Sequence, residues 1–179
     1  MYKNIVVVLG GFRKGKTTLI KDIIKINRTR CSTEPYEYFI NWEPDNLGID
    51  NCNYHSEFNK DVIKNIGDNG LVVDCVYHTP LYKNKELRKL FFRKRNSIIL
   101  SQIFFTDLLQ DMRPHVVFYF VLSGYGHIEN RRHYRKIFYK FFDTFEEFKE
   151  VLDTLQPYDF FLVNMIENSY SICKKTHNG

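Results

Sequence analysis

Short runs of β-branched and aromatic residues, apolar on consecutive positions, recur along the chain at Ile5–Leu9, Tyr36–Ile40, Leu71–Val76, Val116–Leu122 and Phe160–Val163. An uninterrupted apolar run of this kind reads as a strand buried on both faces, as in a parallel sheet covered by helices. Between these runs, apolar positions recur at helical spacing over about 16–27, 58–66, 84–111, 129–142 and 144–155. Strand and helix therefore alternate, the order expected of an α/β protein. Local signals mark some ends. Asn84 or Lys85 opens the long third helix, Arg113-Pro114 closes it, and Thr144 with Glu147 three residues on forms a capping box for the last helix.

The 179 residues, 44% of them hydrophobic, suffice for one compact domain over 1–179, and no Ser/Gly-rich tract or internal repeat divides it. A net charge of +5 suits a polyanionic partner, nucleotide and nucleic acid alike. The four cysteines (Cys31, Cys52, Cys75, Cys173) form no C-x-x-C pair, which argues against a zinc site or a disulfide framework and makes a reducing, cytoplasmic setting the default expectation. His55, His78 and His127 lack ligand spacing and read as ordinary polar residues. No stretch approaches the roughly 20 apolar residues of a membrane span, so no membrane partner is expected, and Ile5–Leu9 is shorter than the core of a secretion signal.

Chemistry enters directly after the first apolar run. Residues 10–18 read Gly10-Gly-Phe-Arg13-Lys14-Gly15-Lys16-Thr17-Thr18, that is G-x-x-x-x-G-K-T between a strand and a helix. Glycines let successive backbone N–H groups curl round phosphate oxygens, the helix N-terminus adds its positive dipole end, and Lys16 supplies a charge to the β and γ phosphates. Thr17 would bind Mg²⁺ through its hydroxyl, with Asp74 at the end of the Leu71 run as the second anchor. A nucleoside triphosphate with Mg²⁺ is the expected ligand.

Four features together resemble the thymidylate kinase and deoxynucleoside kinase group. They are the glycine loop near residue 10, Trp42-Glu43-Pro44 after the second strand, the strand ending at Asp74, and the arginine-rich helix after the fourth strand. The resemblance implies a three-layer P-loop sandwich: a five-stranded parallel sheet in the order 2-3-1-4-5, helices on both faces and a short helical lid at about 124–142. It implies ATP as phosphoryl donor and a small-molecule nucleoside or nucleoside monophosphate as acceptor. Glu43 matches the carboxylate that takes the proton from the acceptor hydroxyl, and Trp42 and Tyr77 fall where the acceptor site is lined. Cys75 stands where the family has an arginine, a departure that leaves either another acceptor or a repurposed, nucleotide-binding protein open.

Two basic segments complete the reading. Arg131 and Arg135 share a helix face after Ser123-Gly-Tyr-Gly126 and would stabilise the transferring phosphoryl from the lid. In the strip Lys83–Arg95, Arg88 is the candidate for the acceptor's phosphate or base, although seven charges on a long helix are more often a solvated face than a nucleic-acid site. A GTPase-like switch is the other alternative, against which Asn164-Met-Ile-Glu167 departs from N-K-x-D. The phenylalanine-rich helices, with the family's tendency to pair through helices, make a homodimer reasonable.

Overall fold

A computed structural model of the chain describes residues 4–11, 13–30, 35–40, 48–57, 59–74, 85–93, 96–103, 108 and 110–175. In chain order the elements are β1 (Ile5–Leu9), α1 (Lys16–Arg30), β2 (Tyr36–Ile40), β3 (Cys52–His55), α2 (Lys60–Lys64), β4 (Gly70–Asp74), α3 (Lys85–Arg93), β5 (Ile98–Gln102), β6 (Phe118–Leu122), α4 (His127–Lys136), α5 (Phe145–Asp153), β7 (Phe160–Asn164) and β8 (Ser169–Cys173). Among the described residues eight strands form one sheet in the order β3-β2-β4-β5-β1-β6-β7-β8. Strands β3 to β6 across that order run parallel, while β7 and β8 add an antiparallel edge.

This corrects the five-stranded parallel sheet in the order 2-3-1-4-5. In that order the strand leading into the glycine loop lies beside the strand ending at Asp74. Here β5 separates them, pairing with β1 through Val7↔Leu100 and with β4 through Val73↔Leu100. The sequence 84–111 is not one helix: α3 ends at Arg93 and Ile98–Gln102 is a fully buried strand. The buried amide of Asn96 donates to the carbonyls of Gly67 (3.0 Å) and Asn69 (2.8 Å), which anchors the approach to β5 to the loop before β4, and the β-branched pair Ile98-Ile99 continues into the sheet. Arg113-Pro114 then lies in a short 3-10 turn leading to β6 rather than at the end of a long helix.

Burial on both faces, expected for the apolar runs, holds for β1, β2, β4 and β5. Side-chain alternation divides the core in two. Val6, Val8, Tyr38 and Val72 face α1, which buries Leu19, Ile20, Ile23 and Ile24 against them. Val7, Leu9, Val73 and Leu100 face the other layer, where α3 contributes Leu87, Leu90 and Phe91 and the α4–α5 segment contributes Phe138, Phe142, Phe145 and Phe148. Phe92, by contrast, is 48% exposed on α3. The capping box before α5 forms as expected: Glu147 N donates to Thr144 Oγ1 at 3.2 Å, and the Glu147 carboxylate accepts from Thr144 N. The segment expected as a helix over 129–142 is α4 followed by a separate 3-10 turn at Phe138–Lys140.

The edge strand β3 escapes hydropathy because Cys-Asn-Tyr-His has no apolar run. It is held through Glu37 of β2, whose carboxylate accepts from Asn53 and Asn69 (2.9 Å each) and contacts His55 Nε2 at 2.7 Å. Burial would raise the Glu37 carboxyl, but the hydrogen bonds from His55, Asn53 and Asn69 outweigh it and hold the group below its ordinary value. Among the described residues no helix is long and apolar enough to cross a membrane.

Candidate phosphate-binding site

The loop between β1 and α1 has the backbone that anion binding requires. Arg13 and Gly15 lie at positive φ (55° and 89°), so the peptide planes turn over within the loop. A Cβ on Gly10 would lie 2.8 Å from Leu122 Cδ1 and 2.9 Å from Lys16 Cγ, so a side chain there would push Lys16 or Leu122 from its place. Helix α1 opens at Lys16 with no acidic residue in its first turn, leaving its N-terminal dipole free for an anion. Lys16 is 5% exposed, and its ammonium donates to the carbonyls of Gly10 and Gly11, both at 2.8 Å. The cation is held inside the curl of the loop. Arg13, Lys14 and Thr18 are exposed along its rim.

Strand register brings the second anchor to the loop. Alternation places Asp74 on the same face of the sheet as α1, and Thr17 Oγ1 donates to Asp74 Oδ2 at 2.7 Å. Tyr38, from the neighbouring β2, donates to the same oxygen at 3.1 Å. Burial and the adjacent Asp74 carboxylate push the Tyr38 phenol far up, so it acts as a donor at any physiological pH. Asp74 is fully buried, and its other oxygen, Oδ1, has no hydrogen-bond partner among the described residues. An unpaired buried carboxylate oxygen is costly in a folded protein and marks a place that a cation would fill. Thr17 Oγ1 and Asp74 are hard oxygen donors of the kind that Mg²⁺ takes, and no cluster of three or more His, Cys, Asp or Glu fit for a metal occurs among the described residues. The donor set suits an ion that arrives with a phosphate chain.

The sequence pattern missed Gln102. It ends β5, its carbonyl accepts from Gly10 N at 3.1 Å, and its side chain is buried with Oε1 unpartnered among the described residues. It therefore stands at the mouth of the loop, between β1 and the Asp74 strand. The signal was the run Ser97-Ile-Ile-Leu-Ser-Gln102, which the preceding helical periodicity absorbed.

Other expected site residues are distributed differently. Trp42, Glu43, Cys75 and Tyr77 lie outside the described residues. Arg88 is ion-paired with Asp111 on the surface. Arg131 donates to His127 and lies 4.8 Å over the Phe145 ring, while Arg135 is exposed and has no partner among the described residues. On the core side of the same helix, desolvation lowers buried His133 to about 4, and its Nε2 has no hydrogen-bond partner among the described residues.

No protein-family model matches the sequence, and no curated protein matches it. Solved structures do. The genome packaging NTPase B204 from Sulfolobus turreted icosahedral virus 2, in complex with sulfate, is similar over 97% of both chains at 19% identity and a TM-score of 0.69. A structure of B204 described as the DNA-packaging ATPase from Sulfolobus Turreted Icosahedral Virus covers 99% of this chain and 100% of its own at 18% identity, with a TM-score of 0.70. The cytoplasmic domain of the Thermomonospora curvata Type VII secretion ATPase EccC matches 99% of this chain with 24% of its own length, at 13% identity and a TM-score of 0.57. The chain has the fold of these NTPase and ATPase structures.

Proposed function

We propose that the chain is a Mg²⁺-dependent P-loop ATPase that uses water, rather than a nucleoside or nucleotide, as the phosphoryl acceptor. The observation that carries this reading is the inserted strand β5, which sets buried Gln102 between the loop at Gly10 and the strand ending at Asp74. A buried amide at the mouth of the loop can donate to the γ-phosphate and accept from a water, the two partners of hydrolysis. Similarity to structures solved with ATP-gammaS and AMPPCP supports ATP as the nucleotide.

In the reaction a water oxygen bonds to the γ-phosphorus as the bond to the β,γ-bridging oxygen breaks, and ADP and inorganic phosphate leave. Backbone N–H groups of the loop and the α1 N-terminus bind the phosphate chain, and Lys16 shifts from the loop carbonyls to the β and γ oxygens. Thr17 and Asp74 would hold Mg²⁺, which would supply charge neutralisation to the phosphate chain. Gln102 orients the water. Glu43, the first carboxylate after β2 in the sequence, takes its proton. Arg131 and Arg135 remain candidates for charge stabilisation, supplied within the chain or to a second copy.

Nucleic acid is the partner we propose for the work output, because B204 is described as a genome packaging NTPase. The exposed Arg131, Arg135, Lys136 and Lys140 along α4 and the turn after it offer a surface for phosphates. ATP hydrolysis measured with and without duplex DNA over a salt series tests both parts. Hydrolysis without any acceptor, stimulated by DNA and less so at high salt, is the expected result. Phosphoryl transfer to a nucleoside or its monophosphate, with no release of phosphate to water, would restore the kinase reading.

A further inference from the structure

Three loops meet beside the phosphate loop, and one buried carboxylate joins them. Asp159, 2% exposed, accepts from Gln156 N (2.9 Å) through Oδ2 and from Lys175 N (3.0 Å) through Oδ1. Its backbone carbonyl accepts from Ser123 N at 3.3 Å. The turn after α5, the end of β8 and the exit of β6 are thereby fixed to one another at the same edge of the sheet as the loop. Just before Asp159, Tyr158 is held at φ 74°, a left-handed conformation that costs a non-glycine residue on the order of 1 kcal/mol or more.

That conformation puts the Tyr158 ring against the loop. A Cβ on Gly15 would lie 2.7 Å from Tyr158 Cδ1, and Lys175 Nζ sits 4.8 Å over the ring. Tyr158 is nevertheless 44% exposed. It forms one wall of an open cavity of about 430 Å³ that begins at Arg13 and Lys14 of the loop and continues past Leu152, Asp153, Leu155 and Pro157. At its rim Asn130 donates to Tyr125 O at 3.2 Å, which leaves the Asn130 Oδ1 as an acceptor. A fixed aromatic ring, aliphatic walls and a few polar groups, starting where a phosphate chain would end, are what a nucleobase with its ribose requires.

We infer that this cavity takes the purine base of the bound triphosphate, with Tyr158 as its aromatic wall and Asn130 Oδ1 as an acceptor for the base's amino group. The inference rests on the phosphate-binding reading above and adds to it the site of the base, with a measurable division of affinity. The phosphate loop recognises the triphosphate whatever it carries, and the Tyr158 cavity recognises what distinguishes ATP from bare tripolyphosphate.

Calorimetric binding of ATP and of inorganic tripolyphosphate, each with Mg²⁺, tests this on the wild type, Tyr158→Ala and Tyr158→Phe. The wild type should bind ATP roughly tenfold or more tighter than tripolyphosphate, Tyr158→Ala should lose most of that advantage with tripolyphosphate unchanged, and Tyr158→Phe should keep it. An unchanged ratio in Tyr158→Ala, or equal loss of both ligands, would overturn the base subsite and leave the loop reading standing. Failure of the wild type to bind either would overturn both. Photolabelling of the wild type with 8-azido-ATP supplies a check that needs no variant: competed labelling within residues 152–158 is expected, and competed labelling confined to other segments would overturn the inference.

Discussion

The Thr17 hydroxyl donates to Asp74 Oδ2 across 2.7 Å, joining the first turn of α1 to the end of β4 over the intervening strand β5. Two residues 57 apart in sequence are brought together by the register Asp74↔Ser101 on one side of β5 and Leu9↔Gln102 on the other. The pair presents a hydroxyl and a carboxylate oxygen unpartnered among the described residues to one point, and everything proposed for this chain depends on that point being next to the phosphate loop.

Replacing Asp74 by Asn keeps the shape but removes the charge that holds a divalent ion. Asp74→Asn is expected to lower the turnover of ATP with Mg²⁺ on the order of 100-fold or more, while binding of ATP in the presence of a chelator stays within a few-fold of wild type. Steady-state phosphate release and calorimetry check the two halves. Equal losses in both would mean that Asp74 supports the loop rather than the ion.

Tyr38 is tied to the same carboxylate, so removing its hydroxyl tests the positioning of Asp74 without touching the ligand. Tyr38→Phe deletes one buried hydrogen bond, for a loss of about 1 kcal/mol in urea-induced unfolding. A rise in the Mg²⁺ concentration needed for half-maximal hydrolysis should accompany it, with the maximal rate little changed. An unaltered Mg²⁺ requirement would limit Tyr38 to packing.

Gln102 separates binding from chemistry. Gln102→Ala should reduce the rate of hydrolysis roughly 10- to 100-fold and leave ATP affinity within about threefold, because the amide acts where charge develops rather than where the phosphate chain rests. The rate constant for a single turnover, measured beside an equilibrium titration, separates the two.

How much of this was legible in the chain depends on how local the cause is. The phosphate loop is a contiguous motif between a strand and a helix, so Gly10 to Thr18 and the end of the Leu71 run at Asp74 could be read without a fold. Strand β5 could not, because Leu87, Leu90 and Phe91 of α3 set a helical period that continues into Ile98, and the approach to β5 is anchored by Asn96 to carbonyls about 27 residues earlier in the chain. The edge strands β3 and β8 are half-exposed and lack apolar runs, so their pairing is decided by partners such as Glu37 and Phe161. With β5 unseen, the strand order of a kinase was the natural inference; the run ending at Gln102 was absorbed into the helical period, and Tyr38 carried no signal of its own beyond a buried strand.

Acid should weaken the fold through His133. Desolvation lowers its pKa from 6.5 to about 4, so between those values the unfolded chain binds a proton that the folded chain does not. Stability is then fully present above about pH 6.5 and falls as the pH drops toward 4, by about 3 kcal/mol at the limit. Urea titrations of wild type and His133→Gln at pH 7, 5.5 and 4.5 isolate this group, since Glu37 is common to both. A difference between the two proteins that does not change with pH would rule the effect out.

The most direct measurement is ATP hydrolysis in ¹⁸O-labelled water with Mg²⁺ and no added acceptor, for the wild type and Lys16→Ala. Inorganic phosphate carrying oxygen from the solvent, absent with Lys16→Ala, is the expected result. No labelled phosphate from the wild type, with the γ-phosphoryl group recovered only on an added nucleoside or nucleotide, would contradict hydrolysis as the function of this site.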